Sequence, residues 1–175
     1  MRIYHGSKND FREFSYDMIR TNATSEGVGF YCTDNKNIAK RYANNGYVME
    51  YEYVGEKRLD SKEISLTENE LKFFLTALDK EDEFLSNYGD VAWEGFENVL
   101  NRAIQDVLEY NDDIDIISGI CNAYGEFKRP LEILYETLGY DSAIVEASWG
   151  NQNIYLILNN KAIKFIKSEK IEGEM

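Results

Sequence analysis

The chain is short of the residues that build metal centres and disulfide frameworks: 175 residues contain two cysteines and one histidine. Cys32 and Cys121 make neither a disulfide framework nor a paired metal motif, and they fit a reducing, cytoplasmic setting. With a single histidine and no paired cysteines, a zinc site is not expected. No run of about eighteen apolar residues is present, so no membrane span is expected. The start, Met1-Arg2-Ile3-Tyr4-His5, lacks the apolar centre of a secretory signal, so export by that route is not expected. There is neither an internal repeat nor a low-complexity stretch.

What is present is ordinary for one globular domain: 43% hydrophobic residues and 13 tyrosines. Polar-tipped aromatics in that number predict an aromatic surface or pocket. The formal charge is −13, and it is unevenly spread: residues 60–115 hold 16 acidic and 4 basic side chains, a local net of −12. Such a field repels nucleic acid, so direct nucleic-acid binding is disfavoured, and it attracts basic surfaces. Two readings of that segment stay open: a solvated helical face, or a docking surface for a basic partner that itself holds nucleic acid.

Periodicity divides the chain in three. Residues 1–59 read as strands with one helix. Val48–Val54 alternates, with Met49, Tyr51 and Tyr53 on one side. Residues 35–43 put Ile38, Ala39 and Tyr42 on one helical face, with Thr33 or Asp34 expected as the cap. Residues 65–139 read as helical. Thr67 and Glu70 predict a capping box. Trp93, Phe96, Leu100, Ala103, Ile104, Val107 and Leu108 predict a single apolar stripe. Residues 111–129 fit strand or helix, and a helix is expected from near Pro130 to Gly139. Residues 140–175 return to strands at 143–145, 154–158 and 163–166, with a charged tail from Ser168 expected to fray. The pattern predicts an α+β fold, one domain over 1–175 with residues 60–139 as a helical insertion.

Two short blocks carry the chemistry. His5-Gly6-Ser7 follows the apolar pair Ile3-Tyr4. Gly27-Val28-Gly29-Phe30-Tyr31-Cys32-Thr33-Asp34 comes about two dozen residues later and leads into Ala39-Lys40-Arg41-Tyr42-Ala43. Taken alone, His5 fits a buried histidine satisfied by backbone with a turn at Gly6-Ser7, and Tyr31 and Tyr42 fit core packing. Together, in this order and spacing, they resemble the nicotinamide pocket of the ADP-ribosyltransferases, in the clade with a histidine, a tyrosine and a late polar residue. The resemblance implies a split β-sheet core around NAD, which is the substrate. It implies that His5 bonds the adenosine ribose, that the Gly6 backbone bonds the carboxamide, and that Ser7 adds a hydroxyl. It also implies that Gly29 opens the strand carrying Tyr31, and that Tyr31 and Tyr42 stack on the nicotinamide ring. Two tyrosine faces on a flat cation combine stacking with cation–π attraction. Ala39 departs from the pattern, standing where the polymerases of the family carry a serine.

The family's last functional residue opens a late strand and steadies the nicotinamide ribose. Gln152 fits best, then Glu146, then Asn153. Bond cleavage builds positive charge on the sugar. A carboxylate stabilises that charge more than an amide, whose loss in comparable sites costs roughly a hundred- to a thousandfold. A neutral amide is compatible with single ADP-ribose transfer and argues against chain elongation.

The resemblance thus implies a mono-ADP-ribosyltransferase acting on a macromolecule, expected to be a protein, with NAD hydrolysis as a side reaction. Family behaviour implies a toxin, an effector or a phage-borne inhibitor of host defence. A few anti-CRISPR proteins share the layout, including a late Leu-Gly-Tyr like Leu138-Gly139-Tyr140. The alternative is a catalytically silent acidic protein, a nucleic-acid mimic that occupies a basic partner surface.

Overall fold

In a computed structural model of the chain, residues 1–19, 27–146 and 153–171 are described. The chain divides into two compact units, Met1–Arg58 with Asp141–Met175, and Leu59–Tyr140. The fold is α+β.

The first unit is built on β-structure: β1 (Arg2–Ser7), β2 (Phe30–Thr33), β3 (Tyr47–Tyr53), β4 (Arg58–Leu59), β5 (Ser142–Glu146), β6 (Asn153–Ile157) and β7 (Ile163–Lys170), with helix α1 (Lys36–Ala43) after β2. The strand order is β4-β5-β6-β2-β1-β3-β7. β1 pairs along its length with β3, and β3 with β7, both antiparallel. β6 runs antiparallel between β2 and β5. Among the described residues these two groups meet where Tyr4 lies opposite Thr33, and the ladder between β1 and β2 goes no further. The sheet is therefore split at its centre.

Alternation along the strands explains what each face does. One face gathers Ile3, Phe14, Phe30, Cys32, Met49, Tyr51, Tyr155 and Ile157 into a core that spans the split. Met49 and Tyr51 take their expected places there, with Tyr53 packed against them. On the other face Ala39 and Ala43 of α1 bury against Val48, with Tyr4 beside them. The cap of α1 is Asn35, whose side chain accepts from the Asn37 N–H, one residue later than the sequence predicts. Thr33 Oγ1 instead accepts from the Asn35 N–H and shapes the approach. The helix ends at Asn44 and Asn45, both at positive φ (46° and 65°), where asparagine is tolerated better than most residues.

The expected fraying tail is a correction. β7 runs on through Ser168, Glu169 and Lys170, which pair with Met49, Val48 and Tyr47, and Glu169 accepts from Lys36 at 2.6 Å. Its charges sit on an edge strand, where solvent reaches them while the backbone stays in the ladder.

The second unit contains α2 (Glu68–Asp82), α3 (Val91–Glu94), α4 (Phe96–Val107), α5 (Asp113–Tyr124) and α6 (Lys128–Leu138). The Thr67–Glu70 capping box opens α2. The ambiguous 111–129 stretch is helical through Tyr124: Asp112 caps it by accepting from the N–H groups of Ile114 and Asp115. Gly139, at φ 78°, ends α6 as the sequence predicts. The expected stripe from Trp93 is corrected at Gly95, whose φ of 86° separates α3 from α4. Leu100, Ala103, Ile104 and Val107 are buried, whereas Trp93 is 88% exposed.

Candidate functional site

The site is built where the two halves of the sheet part. Continuing the register of Tyr4 opposite Thr33 would set Gly6 across from Tyr31 and Ser7 across from Phe30. The His-Gly-Ser and Gly-Phe-Tyr blocks thus face one another at the split. The His5 ring crosses the gap in place of a ladder bond: its Nδ1–H donates to the Tyr31 carbonyl at 2.7 Å. That bond assigns the proton to Nδ1 and leaves the Nε2 lone pair as an acceptor. Phe11 and Phe14 pack on the imidazole, with ring centroids 5.5 and 5.2 Å away. Burial there lowers the His5 pKa, against the smaller opposing pull of the Tyr31 carbonyl, so the ring is neutral. The sequence reading of Gly6-Ser7 as a turn does not hold, since both residues lie in β1.

Gly6 has a packing reason to be glycine. A Cβ there would stand 1.9 Å from the Ala39 carbonyl oxygen and 2.8 Å from the Ala43 nitrogen. No larger residue lets α1 lie this close against β1. The contact places α1, and with it Tyr42, beside the split. Ala39 contributes its main chain to this contact, and no hydroxyl.

Tyr31 alternates with Phe30 and Cys32, so its side chain faces the side of the sheet that carries α1. Its hydroxyl donates to the Gly27 carbonyl at 2.7 Å, and the ring is half-buried. Tyr42 is 64% exposed, so core packing does not account for it. It lies three residues beyond Ala39, one helical turn along. At Gly29, with φ 141° as β2 begins, an added Cβ would stand 3.2 Å from the Ile157 carbonyl oxygen. Ser7 Oγ accepts from the Asn9 N–H at 3.1 Å.

The three late candidates separate by strand parity. Asn153 opens β6 opposite Glu146, and it shares its face with Tyr155. That is the core face of His5 and Phe30, opposite to the Tyr31 side. Glu146 ends β5 in an exposed position on the same face as Asn153. Gln152, the first choice from the sequence, lies outside the described residues. Phe11 and Phe14 were missed by sequence reasoning; their three-residue spacing just after the His-Gly-Ser block was the available signal.

The cysteines take no part. Burial raises the pKa of both Cys32 and Cys121, which keeps them as inert thiols. Among the described residues no group of histidine, cysteine or carboxylate side chains is arranged to hold a metal. None of their helices is long and apolar enough to cross a membrane.

A split sheet, a neutral histidine bridging the split and two tyrosines on the α1 side define an ADP-ribosyltransferase-like fold. The family described as "ADP-Ribosyltransferase in polyvalent proteins" matches residues 1–172, and the chain belongs to it. Among solved structures, the chain is similar to one titled "Crystal structure of an anti-CRISPR protein", at 19% identity over 98% of this chain and 95% of that one, with a TM-score of 0.36. No curated protein matches the chain.

Proposed function

We propose that the chain is a mono-ADP-ribosyltransferase that takes NAD as substrate and transfers ADP-ribose to a protein. The observation that carries this reading is the meeting of His5-Gly6-Ser7 with Gly29-Phe30-Tyr31 at the split in the sheet, with α1 held against Gly6.

In this reading Tyr31 and Tyr42 hold the nicotinamide ring between them, and the main chain at Gly6 takes its carboxamide. The neutral His5 accepts a ribose hydroxyl at Nε2. The bond between the ribose C1′ and the nicotinamide nitrogen breaks, and its electron pair neutralises the pyridinium. The sugar passes through an oxocarbenium-like state. The acceptor nucleophile then bonds C1′ and loses its proton. Gln152 is the residue assigned to steady the ribose, with Glu146 and Asn153, which share the sheet face of His5, as the second and third choices. An amide there fits single transfer.

The test is incubation of the protein with labelled NAD and a bacterial lysate, beside His5→Ala, Tyr42→Ala and Gln152→Ala. A labelled protein band that fades about a hundred- to a thousandfold in Gln152→Ala is expected. Free nicotinamide without a band would replace transfer by hydrolysis. Absence of both NAD binding and turnover would sink the enzyme reading.

A further inference from the structure

The net charge of the chain falls entirely in one unit. Leu59–Tyr140 holds 19 acidic and 6 basic residues, a net of −13, whereas the remaining residues hold 13 of each. On the surface of the acidic unit stands α3, a four-residue helix carrying Trp93 at 88% exposure. So little of that side chain is buried that core packing does not account for it. Gly95 turns the chain after α3, and Asp90 holds its start by accepting from the Trp93 N–H at 3.0 Å. The neighbouring residues Asp90, Val91 and Ala92 form one wall of a cavity of about 560 Å³, whose other lining includes Asp79, Glu83 and Ser86. Glu94, on the same helix, is already engaged by Arg102.

We propose that α3 and the adjoining cavity dock an arginine-rich segment of a protein partner, with Trp93 as the anchor. Charge selects the class: the unit attracts cations at range and repels nucleic acid. The indole selects arginine over lysine, because a guanidinium stacks on an aromatic face and sheds its water more readily than an ammonium. Exposed tryptophans of this kind are the residues that most often dominate binding. The assignment deepens the transferase reading by giving it an acceptor-docking surface, and it rests on that reading only for the purpose of docking.

The test uses Trp149→Phe protein, in which Trp93 is the sole tryptophan. It is titrated with an unstructured peptide of alternating Arg and Gly, with Lys-for-Arg and Glu-for-Arg peptides, and with duplex DNA, at about 0.15 M salt. Saturable binding of the Arg peptide with a shift in Trp93 emission is expected, with weaker binding of the Lys peptide and none of the Glu peptide or DNA. Trp93→Ala, followed by a label on the peptide, should weaken binding about tenfold with the protein's charge unchanged. Unchanged affinity in Trp93→Ala, an unshifted emission, or preference for DNA would overturn the proposal. NAD binding is measured on the same samples. Its absence would remove the transferase reading while leaving the peptide result standing, and a negative peptide result with NAD bound would do the reverse.

Discussion

The two units use the same device, a buried aspartate that pins a loop, in opposite electrostatic surroundings. In the neutral, strand-built unit Asp141 accepts from the Glu56 N–H at 2.8 Å and from the Ser142 hydroxyl at 2.6 Å, and that hydroxyl also meets Tyr53 at 2.9 Å. The Asp141 main chain joins in as well, donating to Lys57 and accepting from Leu158 and Asn159. In the acidic helical unit Asp113 accepts from the N–H groups of Asp60, Ser65 and Leu66, and from the Ser65 hydroxyl. Fixed N–H donors make a buried carboxylate tolerable even amid like charge. Asp113 adds one main-chain bond of its own, donating to Glu63 at 3.3 Å, so the difference is one of share: its side chain holds three backbone donors, whereas that of Asp141 holds one.

That difference sets the largest expected effect. Asp113→Ala orphans three backbone donors and the Ser65 hydroxyl in the 60–66 loop, at about 1–3 kcal/mol for each one that water does not reach, so roughly 3–5 kcal/mol in all. Asp141→Ala orphans one backbone donor and a hydroxyl, and roughly 2–3 kcal/mol is expected. Urea unfolding gives the totals. Hydrogen exchange at Ser65 and Leu66 locates the first effect, and exchange at Glu56 the second. A loss from Asp141→Ala equal to or above that from Asp113→Ala would break the comparison.

Gly6→Ala asks how far the chemistry of the first unit depends on a packing contact. The added methyl meets the Ala39 carbonyl at 1.9 Å, so α1 must lift away from β1. Overpacking of this kind costs about 1–3 kcal/mol. NAD binding should fall further than stability does, because Tyr42 moves with the helix. A variant that loses stability yet binds NAD normally would separate the helix contact from the pocket.

These effects also mark what a sequence reader can see. The capping box at Thr67, the C-cap at Gly139 and the alternation read over Val48–Val54, observed as Tyr47–Tyr53, are local, and each was legible. The His-Gly-Ser and Gly-Phe-Tyr blocks were set in one pocket by the family resemblance, and the register of β1 against β2 supplies what the sequence alone did not. The break at Gly95 was missed because Trp93 keeps the helical period of the residues after it, and periodicity cannot see a positive φ. The length of β7 was missed because Ser168, Glu169 and Lys170 read as a solvated tail; only the partner strand β3 holds them in a ladder. Which side of the sheet Asn153 takes depends on the pairing of β6 with β5 and β2, which no single segment encodes.

The His5 ring gives a prediction confined to the neutral unit. Burial lowers its pKa below the ordinary 6.5. The unfolded chain therefore binds this proton more readily than the folded one as pH falls through that value. Stability is then lost on acidification, with a slope of at most about 1.4 kcal/mol per pH unit, from pH near 6.5 down toward the carboxylate range. Denaturant unfolding of the protein and of His5→Gln at pH 7.5, 6.5 and about 5.5 measures it. The variant should lose the slope across that window. A slope of the same size in both would assign it to other groups.

The smallest expected effect belongs to the acidic unit and follows from its net of −13. Like charges packed into one compact unit repel in the folded state more than in the expanded chain. Raising ionic strength from about 0.01 to 0.15 M shortens the screening length from about 30 to 8 Å, which is shorter than a helical unit is wide. The amides of α4 and α5 should gain protection from exchange as salt is added, by a fraction of a kcal/mol. Those of β3 and β7 should change little, because the charges of their unit balance and Glu50 already pairs with Arg2 at 2.7 Å. Added salt screens that pair rather than strengthening it, so β3 and β7 are not expected to share the gain. Equal gains in both would mean that a general salting effect on apolar burial outweighs the charge segregation.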